Sequence, residues 1–537
     1  MLFINTDLQE CLNALNLEFD EHKELVKLVK NNSFSGFAST VVFHLKGVNQ
    51  KETAQQIAAW LLKHKKAHYR RVFVANNNFI NFEISPQKYL DFLKTKPTFA
   101  PKPTKVLIEW VSANPTGELH LGHVRNAFFG HVLNNLMVFL GFQTVREYWV
   151  NDYGQQARVF GFSVYQALHL QQNIKVTPHP DGYEGELVDS IAKTITGIPL
   201  DKLSFEEFLQ QPFLDQLLAD CTAKVLEVIK QDLATIHIHF DSWKFESQVV
   251  KETDYKKLLT QFKDEAHYEK DGAIWLKTTL YGDDKDRVLV RQDNRPSYFG
   301  TDVAYHLDKA ARGFDLLYDI WGSDHEGHIK RMHCVYEGLK IHQKCQLKIT
   351  ALQLVMLYKN KEIVRLSKRA GNVITIKQML QMLSEDAARW FMLSQTNNSI
   401  IKIDLDTANL QNSSNPVYYV QYAYARMCSV LKVVDQAALA QVNDCSLLTH
   451  EKEIALLDQL VYFKSLLEKV QVSHELHLLT NYLYETATLF HSWYKACKIN
   501  DPAQYNLTQQ RLLLLQSLHH VFGQLLQILN ITAPQQM

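Results

Sequence analysis

Cysteine is scarce and never patterned. The seven residues Cys11, Cys221, Cys334, Cys345, Cys428, Cys445 and Cys497 are scattered over 537 positions without one Cys-x-x-Cys pair. Their odd number and wide spacing exclude a disulfide framework, argue against a thiolate zinc site, and fit reduced thiols in the cytoplasm. Net charge is missing too, with 57 Lys and Arg against 57 Asp and Glu. No global field advertises a polyanionic partner, so any nucleic-acid surface must come from local segregation of charge. The N-terminus lacks a basic start followed by an apolar run, because Asn5, Asp7, Gln9 and Glu10 interrupt it. Neither a signal peptide nor a membrane span is expected. Internal repeats and low-complexity tracts are absent as well. What remains is a soluble chain too long for one core, of about three to four units at the usual domain size.

Residues 1–100 mix amphipathic helix (21–29 and 53–64) with short strands (40–45 and 78–84), which predicts a small α+β unit. Pro97, Pro101 and Pro103 then make a stiff linker. From 104 to 393 strands alternate with helices: a strand at 106–111, a helix at 124–140 closed by Gly141, and strands at 144–149, 272–278, 314–321 and 346–357. This rhythm predicts a Rossmann-like parallel sheet with helices on its faces. Residues 156–280 are too long for one crossover and read as a largely helical insertion. Beyond 396 the Leu-rich periodic segments 447–470, 474–494 and 511–529 predict an all-α bundle. The expected organisation is thus multidomain α/β: an α+β unit at 1–100, a catalytic unit at 101–395 and a bundle at 396–537.

The junction of the 106–111 strand with the next helix reads Ser112-Ala113-Asn114-Pro115-Thr116-Gly117-Glu118-Leu119-His120-Leu121-Gly122-His123. A helix N-terminus offers free N–H groups and a partial positive charge, so such a mouth can hold the phosphates of ATP, with His120 and His123 as added donors. Gly122 leaves room where a Cβ would block a purine. Two histidines on one turn also suit a zinc site or a plain surface pair. Far downstream, Arg365-Leu366-Ser367-Lys368-Arg369-Ala370-Gly371-Asn372 places Lys368 between a hydroxyl and an arginine. Most such runs are solvated basic loops. Here Gly371 and Asn372 supply turn chemistry for movement, and Ser367 can help fix a closed form.

With both motifs in this order the chain resembles a class I aminoacyl-tRNA synthetase, whose signatures are written HIGH and KMSKS. Glu109 to Gly117, Asn151-Asp152-Tyr153-Gly154-Gln155-Gln156, Tyr298 to His306, and Trp321 to His328 all resemble the arginyl-tRNA synthetase family. So do Asp386-Ala387-Ala388-Arg389, like the family's DALR signature, and Asn415 to Arg426, like the start of its anticodon-binding bundle. The resemblance spans essentially the full length. It implies ATP-dependent attachment of L-arginine to tRNA(Arg) through an arginyl-adenylate, by a cytoplasmic monomer without a membrane anchor.

That chemistry needs positioning and oxyanion donors rather than a protein nucleophile. His120, His123 and Lys368 are the expected donors, with Gly122, Ser367 and Asp324 completing the ATP site; Asp324 matches the class I position that meets the ribose. Asp324, His325 and His328 could instead ligate a divalent ion, but Lys330 and Arg331 disfavour that. Magnesium is expected to travel with ATP, with no dedicated protein metal site. A guanidinium substrate calls for planar, bidentate carboxylates, and Glu109 and Asp302 are the candidates. The resemblance implies that Tyr298 packs beside the guanidinium, while Ser112, Asn114 and His325 hold the α-amino end. Without the other motifs, Tyr298 reads as a core aromatic and Glu109 as a paired acid at a strand end. Arg365 and Arg369 depart from the usual pattern, and Lys368 is a lysine many arginyl enzymes lack, which leaves the need for bound tRNA during activation open.

For RNA, the cluster Lys63 to Arg71 is basic with an aromatic inside, though most such runs are solvated faces. The adjoining stretch resembles the family's tRNA-corner contact, where Phe79 could stack and Asn81 could hydrogen-bond a splayed base. Phe79 reads equally as core. Tyr418, Tyr419, Tyr422 and Tyr424 show helical spacings that usually mean packing, with one or two, Tyr422 among them, expected near the anticodon. Two rivals remain: another class I nucleotidyl-transferring ligase, and a tRNA-binding paralogue that has lost activation.

Overall fold

The computed structural model describes residues 3–19, 25–30, 35–262, 264–341, 345–364, 374–432, 434 and 436–537, which form two compact units. One unit joins residues 1–100 with 410–537, and the other spans 101–409.

In the first unit, strands β1 (Val26–Lys30), β2 (Ser35–Ser39), β3 (Tyr69–Val74) and β4 (Ile80–Ile84) form an antiparallel sheet in the order β1-β2-β4-β3. The helix expected at 21–29 is a correction: Val26–Lys30 pairs with β2, and this cross-strand pairing, with the β-branched Val26 and Val29, overrides the helix-like spacing. Likewise 40–45 is a 3₁₀ turn, Val41–His44, following β2. The helix Pro86–Lys94 starts with Ser85 as N-cap and proline in its first turn. It anchors the N-terminal part to the bundle: Tyr89 donates to Asp458 at 2.6 Å, and Ser517 donates to the Leu93 carbonyl at 2.9 Å. The bundle consists of Pro416–Leu431, Glu451–Ser473, His477–Ala496 and Tyr505–Leu529. The last helix is apolar and long enough to cross a membrane, but 61% of that window is buried, as in a bundle core.

The second unit carries β5 (Lys105–Glu109), β6 (Gln143–Val150), β7 (Ser242–Phe245), β8 (His267–Lys270), β9 (Ala273–Leu276), β10 (Arg287–Val290), β11 (Leu316–Gly322), β12 (Gln346–Leu352), β13 (Val355–Lys359), β14 (Glu362–Ile363) and β15 (Ile401–Asp404). Five of these form a parallel sheet ordered β12-β11-β5-β6-β7. The chain runs outward from β5 through β6 to β7 and then returns to the other side of β5, so the strand order reverses between β5 and β11. A crevice opens at the carboxyl ends of the strands at such a reversal. Two expectations are corrected here. The strand expected at 272–278 belongs to an antiparallel ribbon, β8-β9-β10, outside the parallel sheet. Residues 156–280 are not wholly an insertion, because β7 rejoins the sheet as its edge. Periodicity could not show this, since β7 is only 4 residues long. The segment 346–357 splits into β12 and β13, and β15 pairs parallel with β13 before the chain turns helical.

The helix Tyr298–Ala311 lies close against β10. A Cβ on Gly300 would sit 2.1 Å from the Leu289 carbonyl oxygen, a backbone atom that cannot rotate away. Gly300→Ala is expected to destabilise this unit by about 1–3 kcal/mol through overpacking, read as a lower thermal-unfolding midpoint. An unchanged midpoint would mean that this helix and β10 are not in such contact.

Candidate active site

β5 ends in a reversal that the local sequence alone would not choose. Val111 has φ 67° and Ser112 φ 39°, and the Ser112 N–H donates to the Trp110 carbonyl at 2.9 Å, which is a γ-turn centred on a β-branched residue. Such strain persists only where the surroundings over-determine it. Asn126, on the next helix, accepts from the Val111 N–H at 2.7 Å and donates to the Ile320 carbonyl at 2.8 Å, tying β5 to β11 across the strand reversal. The Ser112 hydroxyl donates to Glu109 at 2.8 Å and accepts from the Trp149 N–H at 3.2 Å, while Asn151 donates to the Ser112 carbonyl at 3.3 Å.

The turn delivers the chain to the helix Leu121–Phe139, whose cap is built from both histidines. His120 is the N-cap: its Nδ1 accepts from the Gly122 N–H at 3.1 Å, and His123 Nδ1 accepts from the His120 N–H at 3.3 Å. The rings stack with centroids 3.9 Å apart. Burial lowers the pKa of His120 and, aided by His120, brings that of His123 to about 3. Both rings are therefore neutral, and with Nδ1 accepting, each carries its proton on Nε2. They are donors that bring no charge. A Cβ on Gly122 would lie 2.9 Å from His120 Cε1, so this glycine first makes room for the capping imidazole.

Behind the turn lies a row of buried acids. Asp319 on β11, Glu109 on β5 and Glu147 on β6 are register partners across three neighbouring parallel strands. Their counter-charges all come from the helix Tyr298–Ala311 and the Arg312 after it. Lys309 pairs with Glu109 and, at 2.8 Å, with Asp319; His306 Nε2 lies 2.8 Å from Asp319; and Arg312 grips both oxygens of Glu147 at 2.6 and 2.8 Å. Burial pushes Glu109 upward against the pull of Lys309. Asp319, although equally buried, is held down to about 2 by Lys309 and His306. Glu109 is thus a paired acid at a strand end, with both oxygens engaged.

Two other acids are not neutralised. Asp302, two turns before Lys309, has no hydrogen-bond donor on its carboxylate among the described residues, and His328 Nδ1 stops 3.7 Å away. Burial, with the Glu246 and Glu109 charges, raises its pKa well above the ordinary range. Glu246, 6% exposed, is raised to about 8 by burial and by Asp152, with only Thr301 opposing. Asp152 also fixes the start of the Glu246–Glu252 helix, accepting from the Ser247 N–H at 2.8 Å and its hydroxyl at 2.6 Å. Sequence reading missed Glu246, Lys309 and the acid row; the Asn151–Gln156 resemblance was the nearest signal.

These groups share one cavity of about 1310 Å³, lined by His120, Gly122 and His123 at the end of β5 and by Glu246, Tyr298 and Asp302 elsewhere. Ser112, Asn114, Asp324 and His325 also line it, as does the engaged Glu109. Asn114 donates to Gln156 at 2.5 Å; Asp324 is largely exposed, with His325 Nε2 3.4 Å from it. Tyr298 is half exposed, its ring edge-on to His328 at 5.7 Å. Burial lowers the pKa of His328 to about 4. Lys368 and Ser367 lie outside the described residues. The chain just after them is fixed to the histidine motif: the Leu121 N–H donates to the Ile374 carbonyl at 2.8 Å, and the Ile376 N–H to the Leu119 carbonyl at 3.3 Å. Among the described residues no group of three or more His, Cys, Asp or Glu is arranged to hold a metal.

The expected RNA contacts belong to the other unit. Phe79 meets the exposed Phe43 edge-on at 5.6 Å, so it stands at a surface rather than in the core. Asn81 is 6% exposed within β4. Tyr422 stacks between Tyr418 and His491, with the Arg426 guanidinium 4.5 Å from its ring centre, whereas Tyr424 packs on His519 at 4.7 Å.

Residues 92–429 match the family described as "tRNA synthetases class I (R), catalytic domain", and residues 420–537 match "DALR anticodon binding domain". The chain is 63% identical to the arginine–tRNA ligase of Mycoplasma genitalium over 537 residues, covering 100% of both. It is 37% identical to the arginine–tRNA ligase of Mycoplasmoides gallisepticum, covering 99% of each. The solved arginyl-tRNA synthetase of Thermus thermophilus shares the fold, with a TM-score of 0.78 over 99% of both chains at 17% identity. The two matched regions, the parallel-sheet cleft and the full-length likeness agree, and the chain belongs to the class I arginyl-tRNA synthetase family.

Proposed function

We propose that this cleft joins L-arginine to ATP and passes the arginyl group to tRNA(Arg), making the chain an arginine–tRNA ligase. The observation that carries the reading is a single cavity with neutral imidazole donors at one end and unneutralised buried acids at another. An arginine carboxylate oxygen attacks the α-phosphorus, the bond to the β-phosphate oxygen breaks, and pyrophosphate leaves. The terminal adenosine hydroxyl then takes the arginyl group and AMP departs. No protein nucleophile is needed, only donors to the charge that builds on phosphate oxygens.

His120 and His123 supply two such donors through Nε2–H. Because they are neutral, they neither hold the anion too tightly in the ground state nor change charge over the working pH range. Lys368 adds a positive charge. It lies six positions before Ile374, whose carbonyl accepts from the Leu121 N–H beside the histidines. Asp324 suits the ribose hydroxyls, and Mg²⁺ travels with the triphosphate, since one exposed carboxylate is no cage. Asp302 and Glu246 take the guanidinium, beside Tyr298. Glu109 serves from behind by fixing Ser112 and Lys309. Ser112, Asn114 and His325 attend the α-amino end. Residues 1–100, with Phe79 and Asn81, contact the tRNA body, and the bundle, which starts at Pro416 rather than at the expected 396 because β15 still belongs to the catalytic unit, takes the anticodon arm with Tyr422. The chain works as a cytoplasmic monomer, a setting that suits its seven free cysteines.

ATP–pyrophosphate exchange with each amino acid, with and without tRNA, tests the function. Arginine alone should support it, whereas exchange with another amino acid points to a different class I ligase, and none under any condition to a paralogue without activation. Lys368→Ala should slow exchange by roughly two to three orders of magnitude, the loss of one well-aimed oxyanion donor; an unchanged rate removes Lys368 from the mechanism. Asp302→Ala should raise the KM for arginine far more than that for ATP, and equal effects would argue against a guanidinium contact. Arginine binding should also depend on pH. In the free chain Glu246 holds a proton below about 8, and the guanidinium must displace it. Affinity should therefore strengthen as pH rises from 6 to 8, by up to about tenfold per unit, and then level off. Equilibrium dialysis of arginine against Glu246→Gln should show this dependence weakened, with Asp302 supplying what is left, and a dependence unchanged by the substitution would place the proton elsewhere.

A further inference from the structure

Four arginines line the cavity: Arg125, Arg158, Arg291 and Arg295. Two have protein partners. Arg125 donates to the carbonyls of Gln353, Ser399 and Thr396 at 2.6, 2.9 and 3.0 Å, and Arg295 is forked on Asp293. Among the described residues neither Arg158 nor Arg291 forms an ion pair or a side-chain hydrogen bond; Asp293, already held by Arg295, is the one acid seen to feel the Arg291 charge. Arg158 is half-buried on the helix Gln155–Gln171, and Arg291 is exposed in the tight turn that leaves β10. Two bare guanidiniums beside a pocket for a guanidinium are unfavourable for that substrate, since like charges repel across a low-dielectric cleft. Bare guanidiniums on a cavity wall are suited to an anionic ligand instead.

The triphosphate of ATP is the less suitable anion, because its donors sit at the end of β5. Arg158 follows β6. Arg291 opens the turn after β10 in which its N–H donates to the Arg295 carbonyl at 2.8 Å, and Tyr153, just past β6, lies near enough to Arg295 to act on its charge. Both arginines thus stand beside the end of β6, whereas His120 stands past the end of β5 and Asp324 past the end of β11. The carboxylate of the arginine substrate must meet the α-phosphate at that same β5 end, which leaves the single-stranded 3′ end of the tRNA as the anion for this side. Guanidinium groups on a cavity wall are suited to track such a strand, forking its phosphates without reading bases.

We propose that Arg158 and Arg291 form a phosphate track for the 3′-terminal strand of tRNA beside the end of β6 in the cleft. This rests on the reading above that tRNA is a substrate here. The test measures binding of the full chain, with Arg158→Gln and Arg291→Gln singly and together, to a tRNA(Arg) transcript and to the same transcript lacking its single-stranded 3′ tail, over a range of salt. The double variant should bind intact tRNA about tenfold more weakly, with the slope of log affinity against log salt reduced by about 0.7 per arginine removed. It should bind the trimmed transcript as the parent does. Equal losses for both RNAs, no loss for either, or a raised KM for ATP with tRNA affinity intact each overturn the track. Failure of the parent chain to charge tRNA with arginine overturns the function itself, a different result from a parent that charges while the variants bind normally.

Discussion

The structure turns on three carboxylates, Asp319, Glu109 and Glu147, set side by side across neighbouring parallel strands and neutralised from one helix. Each is at most 4% exposed. Ionised acids are tolerated there only because Lys309, His306 and Arg312 approach from above, and removing one partner of such a pair typically costs about 3–5 kcal/mol. The pairing therefore allows the helix Tyr298–Ala311 essentially one position over the sheet. Asp302 lies one turn before His306 and two before Lys309, on the same face, so clamping the helix to the acid row also fixes where Asp302 enters the cavity. The close approach at Gly300 sets the other end of the same helix against β10.

The cavity inherits a deliberate imbalance from this arrangement. The acid row below is fully paired, while Asp302 and Glu246 are left without a cation. A buried carboxylate without a partner takes up a proton rather than stay charged, which is why both are pushed upward. A guanidinium removes the penalty on two acids at once with a planar fork, whereas an ammonium can meet them only as a point charge. At the other end the histidines avoid charge altogether, because each Nδ1 is engaged by the backbone of its own helix start. One end thus presents unmet charge and the other oriented dipoles, as the proposed arginine and ATP sites require.

How much of this could be read in advance follows the range of the interactions. The histidine motif was legible because a helix cap is local: the residues that need capping and those that cap lie within four positions. The parallel sheet was legible in outline from the short, β-rich segments β5, β6, β11 and β12, of which β5 is the apolar run. Glu246 was not, because its meaning depends on Asp152, 94 residues before it, and on Asp302, 56 residues after it. Lys309 likewise lies in an ordinary amphipathic helix, and only the register of β5 against β11 shows it shared by two acids. The segment 21–29 misled because Leu25-Val26-Lys27-Leu28-Val29 repeats in threes, which fits helix spacing better than strand spacing, until β2 supplies the partner.

Asp152 shows why the long excursion between β6 and β7 matters to the chemistry. The chain leaves the sheet at the end of β6, builds the helices that fill 155–235, and returns as a short edge strand whose end starts the helix bearing Glu246. Asp152, just past β6, captures that start through two hydrogen bonds to Ser247, so the excursion closes within a few residues of where it opened. The captured helix then carries Glu246 beside the acid that holds it, and the Asp152 charge helps keep a proton on Glu246 until a cation arrives. One residue thus sets both the position of Glu246 and its reluctance to ionise. Replacing that contact by a neutral cap would preserve the geometry while removing one of the charges that hold the proton, so the position of Glu246 and its protonation are separable in principle even though a single carboxylate supplies both.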